Sequence, residues 1–98
     1  MPTYVTLVNF TDEGRENVLE LPNNIARMEQ LKRALGGEPK GFFFTLGQYD
    51  LVAISEMPGD ESVAKLQLTA TKEGAVDLQV LRAFPMDEVR DILADLPE

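Results

Sequence analysis

The residues best suited to chemistry in this sequence are Tyr49 and Asp50, which follow Gly47 and Gln48. A carboxylate held near an arginine can bind a polar ligand or move a proton. Arg82 is a candidate for that arginine, because it interrupts an apolar segment in which a buried guanidinium would need a carboxylate partner, either Asp50 or an acidic residue of a second copy of the chain. Together with the nearby Thr45, these residues form the set of candidate ligand-binding residues: Thr45, Tyr49, Asp50 and Arg82.

The same side chains also have a purely structural interpretation. Aspartates beside turns commonly accept backbone hydrogen bonds, and Tyr49 could pack over the end of a hairpin. Arg82 could point outward at a sheet end, since successive strand residues face opposite sides of a sheet. Both interpretations remain open from the sequence, which identifies no catalytic residue.

The composition excludes several classes of enzyme site. The 98 residues include no cysteine, histidine or tryptophan. Thiol nucleophiles, disulfides, serine–histidine triads and histidine-ligated metals are therefore excluded within this chain. The acidic residues near the C-terminus (Asp87, Glu88, Asp91 and Asp95) lack the spacing of a calcium-binding loop. We therefore predict no metal and no cofactor.

The charge balance limits the classes of partner. Seventeen acidic and nine basic residues give a net charge of −8. Such a surface repels phosphate backbones and anionic lipids, so we expect neither nucleic acid nor a membrane as a partner. The N-terminal residues lack the features of a signal peptide, and no apolar stretch approaches the ~20 residues of a membrane span. A cytoplasmic protein with one domain over residues 1–98 is expected.

Hydrophobic periodicity predicts the elements that position these residues. Alternation indicates strands, and apolar residues at threes, fours and sevens indicate helices. The predicted strands are residues 4–10, 40–47, 49–57 and 76–84, and the predicted helices are residues 15–35, 61–72 and 85–96. The order βαββαβ is that of an α+β, ferredoxin-like fold, with a four-stranded antiparallel sheet, two helices on one face and an additional C-terminal helix.

Local signals refine these boundaries. Pro22 lacks an amide donor, which predicts a break in the first helix near Leu21, with Asn23 or Asn24 starting the second segment. Gly47 and Gln48 have the composition of a two-residue hairpin turn. Helix caps are predicted at Thr11 or Asp12 and at Asp60, glycine ends at Gly36 and Gly74, and Pro85 in the first turn of the last helix.

Both faces of the predicted sheet are apolar. In the second strand, Phe42 and Phe44 face one side and Phe43 the other, and in the third strand Val52 and Ile54 alternate with small or apolar residues. Two helices cover only one face, and a large apolar face is rarely left in water. We therefore expect a homodimer or larger oligomer that packs through the second face, although the sequence does not say which side chains lie on it.

The assembled stretches resemble the GYD domain family, which belongs to the dimeric α/β-barrel superfamily. The name-giving motif corresponds to Gly47-Gln48-Tyr49-Asp50, and further matches extend over almost the whole chain. These are Tyr4, Thr11-Asp12-x-Gly14, Pro22, Gly36-Gly37, residues 45–52, Pro58 and residues 81–84. The resemblance implies a ferredoxin-like subunit of the dimeric α/β-barrel type that self-associates, and it implies no established chemistry.

The chain departs from the family pattern at two places. Asn24 stands where members often carry a basic residue, and residues 77–79 replace a common arginine and threonine–glutamate pair. Any anion or substrate site formed there in relatives would be altered in this chain. The sequence thus favours a homo-oligomeric domain that binds an unknown small molecule or has an assembly or regulatory role. The alternative is a cofactor-free small-molecule enzyme of the monooxygenase or isomerase kind, which would need a cavity lined by convergent polar groups.

Overall fold

The sheet and helices follow the predicted order. The computed structural model describes residues 1–97. The strands are β1 (Thr3–Phe10), β2 (Glu38–Phe44), β3 (Leu51–Glu56) and β4 (Val76–Ala83), and the helices are α1 (Asp12–Glu16), a 3₁₀ turn (Val18–Glu20), α2 (Leu21–Ala34), α3 (Asp60–Glu73) and α4 (Met86–Ala94). The strands form one antiparallel sheet in the order β2-β3-β1-β4. The predicted α+β, ferredoxin-like architecture with a C-terminal helix is confirmed.

The core lies between the sheet and the helices α2 and α3. From β1 and β3, alternate residues point toward the helices and are buried: Tyr4, Thr6, Val8, Leu51, Ala53 and Ser55. From α3, the predicted inward residues Val63, Leu66 and Ala70 are buried against them. Burial of these side chains removes apolar surface from water, which is the main favourable term in folding such a domain. None of the helices described is long and apolar enough to cross a lipid bilayer.

The first helical region is broken, as Pro22 predicts. A 3₁₀ turn separates α1 from α2, and Pro22 stands in the first turn of α2, where its missing amide costs no intrahelical bond. Helix α2 therefore begins at Leu21, and the prediction that Asn23 or Asn24 starts it was wrong. Thr11 is the N-cap of α1, since its side chain accepts a hydrogen bond from the amide of Gly14.

The link between β2 and β3 is wider than predicted. Phe44 pairs with Leu51, so residues 45–50 form the connection and the two-residue turn was wrong. The amide of Thr45 donates to the carbonyl of Asp50 at 2.9 Å, and the amide of Asp50 donates to the carbonyl of Val8 in β1 at 2.8 Å. These bonds satisfy the backbone of a wider loop, and they place Tyr49 and Asp50 before β3 rather than within it.

Two predicted helix starts are also corrected. Gly59, not Asp60, is the N-cap of α3, because the carboxylate of Asp60 instead accepts a hydrogen bond from the hydroxyl of Tyr4 at 2.7 Å. Pro85 is the N-cap of α4 rather than a residue of its first turn. The predicted ends at Gly36 and Gly74 are confirmed, since both adopt the positive φ that favours glycine after a helix.

The second face of the sheet is apolar and lies opposite the helices. Strand register assigns to this open face the side chains of Val5, Leu7, Phe43, Val52, Ile54 and Leu81. Phe43 is 54% exposed, and Leu81 is also exposed. Helix α4 has no buried residue between Met86 and Ala94 and does not pack extensively against another described element. The large apolar side chains of Ile92 and Leu93 on this helix are therefore exposed.

Candidate functional site

A cavity of about 100 Å³ lies between the helices and the sheet. Its walls are mainly apolar and come from α2, α3 and all four strands, with Val8, Ile25, Met28, Leu51 and Leu66 among the lining residues. The charged lining residues are Arg27, Lys32 and Glu73. An apolar cavity with a few polar groups is the usual form of a small-molecule site, so this cavity is the candidate site.

Lys32 contributes the most unusual group in the cavity. It follows Ile25 by seven positions and Met28 by four, so all three side chains lie on the side of α2 that faces the sheet. Lys32 is only 3% exposed, and its Nζ atom has no hydrogen-bond partner within residues 1–97. Burial lowers the pKa of Lys32 from its ordinary value, and the neighbouring carboxylate of Glu29 partly opposes that effect.

The aromatic ring of Phe42 offsets only part of the cost of burying the ammonium of Lys32. The ammonium lies 4.8 Å from the centroid of this ring, which places it within cation–π distance. An ammonium carries three hydrogen-bond donors, however, and an aromatic face does not replace three acceptors. The structure therefore holds a cation in an apolar cavity with its donors unpaired.

The cavity reaches the surface near α1 and the first half of α2. Asn17 and Arg27 line it and are exposed, whereas Lys32 is buried, so Lys32 lies at the inner end. The guanidinium of Arg27 donates to both carboxylate oxygens of Glu73, one of them at 2.6 Å. This ion pair connects α2 with α3 beside the opening. As an exposed pair it contributes little to stability, and it leaves Glu73 engaged rather than free to approach Lys32.

The residues singled out from the sequence around Asp50 make structural contacts. The carboxylate of Asp50 accepts a hydrogen bond from the amide of Phe10 at 2.8 Å. The hydroxyl of Thr45 donates to the carbonyl of Tyr49 at 2.5 Å, and the hydroxyl of Tyr49 donates to Oε1 of Gln79 at 3.2 Å. The bond from Phe10 holds the loop of residues 45–50 against the end of β1, as the structural interpretation of Asp50 requires, and the bond to Gln79 connects the loop with β4.

Arg82 lies far along the sheet from Asp50. It pairs in register with Tyr4 near the start of β1, whereas Asp50 contacts the end of that strand. Its guanidinium lies 3.7 Å from the carboxylate of Glu88 and 4.3 Å from the centroid of the Phe84 ring. The structure therefore does not form the Asp50–Arg82 pair that the sequence suggested.

The cavity and the sequence-predicted candidates are separate. Thr45, Tyr49, Asp50 and Arg82 lie outside the set of residues that line it. A ligand-binding role for these four residues stays a prediction. Lys32 was missed because only apolar residues were expected on the inner side of the helix, although its spacing of seven from Ile25 was a signal that could have identified it.

Thr11 and Gly14, which follow β1, form a second set of structural contacts at this end of the strand. The amide of Thr11 donates to the carbonyl of Ala75 at 3.1 Å, and the hydroxyl of Thr11 donates to the carbonyl of Gly74 at 2.6 Å. A side chain at Gly14 would collide with the carbonyl oxygen of Ala75. Thr11 and Gly14 thus hold α1 against the turn between α3 and β4, while Asp50 holds the neighbouring hairpin loop.

The sequence of this chain matches a known protein family. The family model of the GYD domain matches residues 4–93. The chain belongs to the GYD domain family. The resemblance inferred from Gly47 to Asp50 is thereby confirmed, and in this GYD domain the motif aspartate is a backbone acceptor at the end of β1.

A curated relative of this GYD domain is named for its binding partners. It is the glutamine synthetase and cystathionine beta-lyase binding protein of Thermus thermophilus. The two sequences are 33% identical over 97 residues, which cover 98% of this chain and 99% of the relative. The likeness therefore extends over the whole of that protein rather than over one part of it.

Proposed function

We propose that this GYD domain is a homodimeric binding protein that attaches to a metabolic enzyme, with glutamine synthetase as the first candidate. The observation that carries the proposal is the end-to-end likeness to a relative named as a binding protein for glutamine synthetase and cystathionine beta-lyase. The geometry contributes two uncovered apolar surfaces, one suited to a second copy of the chain and one suited to an enzyme.

The open face is the surface that a second copy would cover. Four strands of six to eight residues offer roughly 500 Å² of projected area. A stable dimer buries about 800 Å² on each partner, so the face needs an additional element. Helix α4 is the element proposed for this, because its Ile92 and Leu93 are apolar and exposed. In a dimer with twofold symmetry, the open face and helix α4 of one subunit would be covered by the same elements of the other subunit.

The loops beyond the end of β1 are the surface that an enzyme would contact. Leu19 in the 3₁₀ turn is 92% exposed, and Leu46 in the loop after β2 is 91% exposed. Strands β1 and β2 both run antiparallel to β3, so these two loops lie at the same end of the sheet. These two exposed leucines offer apolar surface that a partner can remove from water, and Asp50 fixes the loop that carries Leu46.

Binding to purified enzymes tests the proposal. Glutamine synthetase and cystathionine beta-lyase of Thermus thermophilus would be immobilised separately, and association of the purified GYD domain would be followed by biolayer interferometry. We expect saturable binding to at least one of them, and a loss of about tenfold or more in affinity for Leu19→Ser combined with Leu46→Ser, because two leucine side chains would no longer be buried on binding. Leu68→Ser, at an exposed leucine on α3, is the matched control and should bind as the wild type does.

The outcomes separate the parts of this proposal. Absence of wild-type binding to both enzymes would reject the enzyme-binding function. Saturable binding that the Leu19 and Leu46 changes leave intact would keep that function and reject these loops as the docking surface. Light scattering on the same variants should report an unchanged dimer, because neither leucine lies on the open face.

A further inference from the structure

The inner end of the cavity presents a cation that lacks an anion. Lys32 is 3% exposed and its ammonium has no hydrogen-bond partner in the described part of the chain. The carboxylate among the cavity-lining residues, Glu73, is engaged by Arg27 at the opening. We infer that this cavity binds a small monocarboxylate with a short apolar chain, whose carboxylate pairs with the ammonium of Lys32. This inference does not depend on the proposed binding of an enzyme.

The unpaired ammonium of Lys32 favours an anionic ligand. Burial of an unpaired ammonium in an apolar environment is costly, and a carboxylate that accepts its donors offsets that cost. Hydrogen bonds between charged groups are also stronger than those between neutral groups. Phe42 stabilises the ammonium from one side, which leaves the remaining donors for a ligand.

The lining of the cavity favours a ligand with a single negative charge. Lys32 is the one buried cation among the lining residues; Thr6 is the other buried polar residue among them, and its hydroxyl is uncharged. A phosphate would bring more charge and more acceptor oxygens than one ammonium can satisfy, so burying it here would leave charge uncompensated. A carboxylate presents one charge at one end and leaves the rest of the molecule apolar.

The volume limits the length of the apolar chain. A protein cavity of about 150 Å³ accommodates a benzene molecule. The volume of about 100 Å³ in this protein is two-thirds of that, so the enclosed part holds about four non-hydrogen atoms, and the end of a five-carbon acid would extend toward the opening beside Arg27. The walls formed by Val8, Ile25 and Leu66 would contact a branched chain on several sides, and 3-methylbutanoate is a suitable probe.

The experiment compares 3-methylbutanoate with its uncharged amide. Purified ¹⁵N-labelled protein would be titrated at pH 7 with each compound, and backbone amide shifts would be followed by NMR. We expect saturable shifts at cavity-lining residues with the carboxylate, and affinity for 3-methylbutanamide about tenfold or more weaker, because the amide lacks the charge that pairs with Lys32. Lys32→Met should lose affinity for the carboxylate by a similar factor.

A control variant and a direct observation of Lys32 complete the test. Lys65→Met is the matched control, because Lys65 is exposed on α3, pairs with Glu61 and does not line the cavity. In wild-type protein with ¹³C-labelled lysine, the Cε resonance of Lys32 should move on addition of the carboxylate, whether or not the Lys32 variant folds. The inference is overturned if 3-methylbutanoate does not bind saturably, if the amide binds equally well, or if Lys32→Met binds as tightly as Lys65→Met. Since no enzyme is present, each of these failures leaves the enzyme-binding proposal untouched.

Discussion

The carboxylate of Asp50 accepts a hydrogen bond from the amide of Phe10, 40 residues away in the chain and 2.8 Å away in space. The amide of Asp50 donates in turn to the carbonyl of Val8. One residue of the hairpin loop thereby satisfies two backbone groups at the end of β1. The position of the loop, and of the exposed Leu46 within it, depends on this pair of bonds.

Removal of the Asp50 carboxylate should destabilise the fold. Asp50→Ala leaves the partly buried amide of Phe10 without its acceptor; a fully buried donor left unpaired costs about 1–3 kcal/mol, so a loss near the lower end of that range is expected. Asp50→Asn should cost less, because its amide oxygen can still accept the bond. Urea denaturation provides the free energies of unfolding, and Asp91→Ala on the exposed side of α4 is the control. Equal stability of the two Asp50 variants would contradict this role.

Gly14 should not tolerate a side chain. A methyl group there would overlap the carbonyl oxygen of Ala75, which also accepts the amide of Thr11. Gly14→Ala should therefore cost about 1–3 kcal/mol through overpacking and displacement of α1. The comparison is Gly59→Ala, where the backbone is extended and no atom lies within 4 Å of the added carbon. Thermal unfolding of both variants should show the larger decrease in Tm for Gly14, and the reverse order would refute the steric explanation.

The sequence predicts the elements because their signals are local. Gly36 and Gly74 end α2 and α3 with positive φ values that glycine adopts without strain, and alternation along the strands reports which residues share a face. The hairpin was mispredicted because its shape depends on bonds to another strand. The bonds from Asp50 to Val8 and Phe10 connect distant parts of the chain, and no pattern within residues 45–50 contains them.

The candidate site was harder to predict for two reasons. Arg82 was paired with Asp50 on charge alone, whereas the register between β1 and β4 fixes Arg82 opposite Tyr4 and near Glu88. That register is a property of the assembled sheet. Lys32 was missed because a lysine in a helix is usually solvated, and only the packing of α2 over Phe42 encloses it.

Lys32→Met should stabilise the protein at neutral pH in the absence of a ligand. The substitution keeps an unbranched side chain of similar length and removes a buried ammonium that has no acceptor within residues 1–97. An unsatisfied buried polar group costs about 1–3 kcal/mol, so an increase of that order is expected. Urea denaturation measures it, with Lys65→Met as the exposed control. A destabilised Lys32 variant would mean that the ammonium has a partner in solution.

The same substitution should remove a component of the pH dependence. Burial lowers the pKa of Lys32 below 10.5, so the folded state binds fewer protons than the unfolded state as pH rises toward that value, and stability increases over this range. Nearby charges are Glu29 on α2 and the Arg27–Glu73 pair at the cavity opening. The difference in stability between Lys32→Met and wild type should therefore shrink as pH approaches 10.5.

Another group changes stability in the opposite direction at high pH. The hydrogen bond to Asp60, together with burial, raises the pKa of Tyr4 above 10.0, so stability is lost as pH rises past that value. Tyr4 is present in both proteins, so its effect cancels in the difference between Lys32→Met and wild type. A difference that stays constant with pH would contradict the buried, charged state of Lys32.

The open face should determine the oligomeric state. Wild-type protein at micromolar concentration should scatter light as a dimer, and Phe43→Asp should shift it toward the monomer, because the charge would be buried against the second copy. Phe43 is 54% exposed in the subunit, so aspartate there costs the subunit's own fold little, and circular dichroism should remain unchanged. Leu68→Asp, at an exposed position on α3 outside the open face, should remain dimeric. A monomeric wild type, or a Phe43→Asp variant as dimeric as the Leu68 control, would show that the apolar sheet face is not covered by a second copy of this chain.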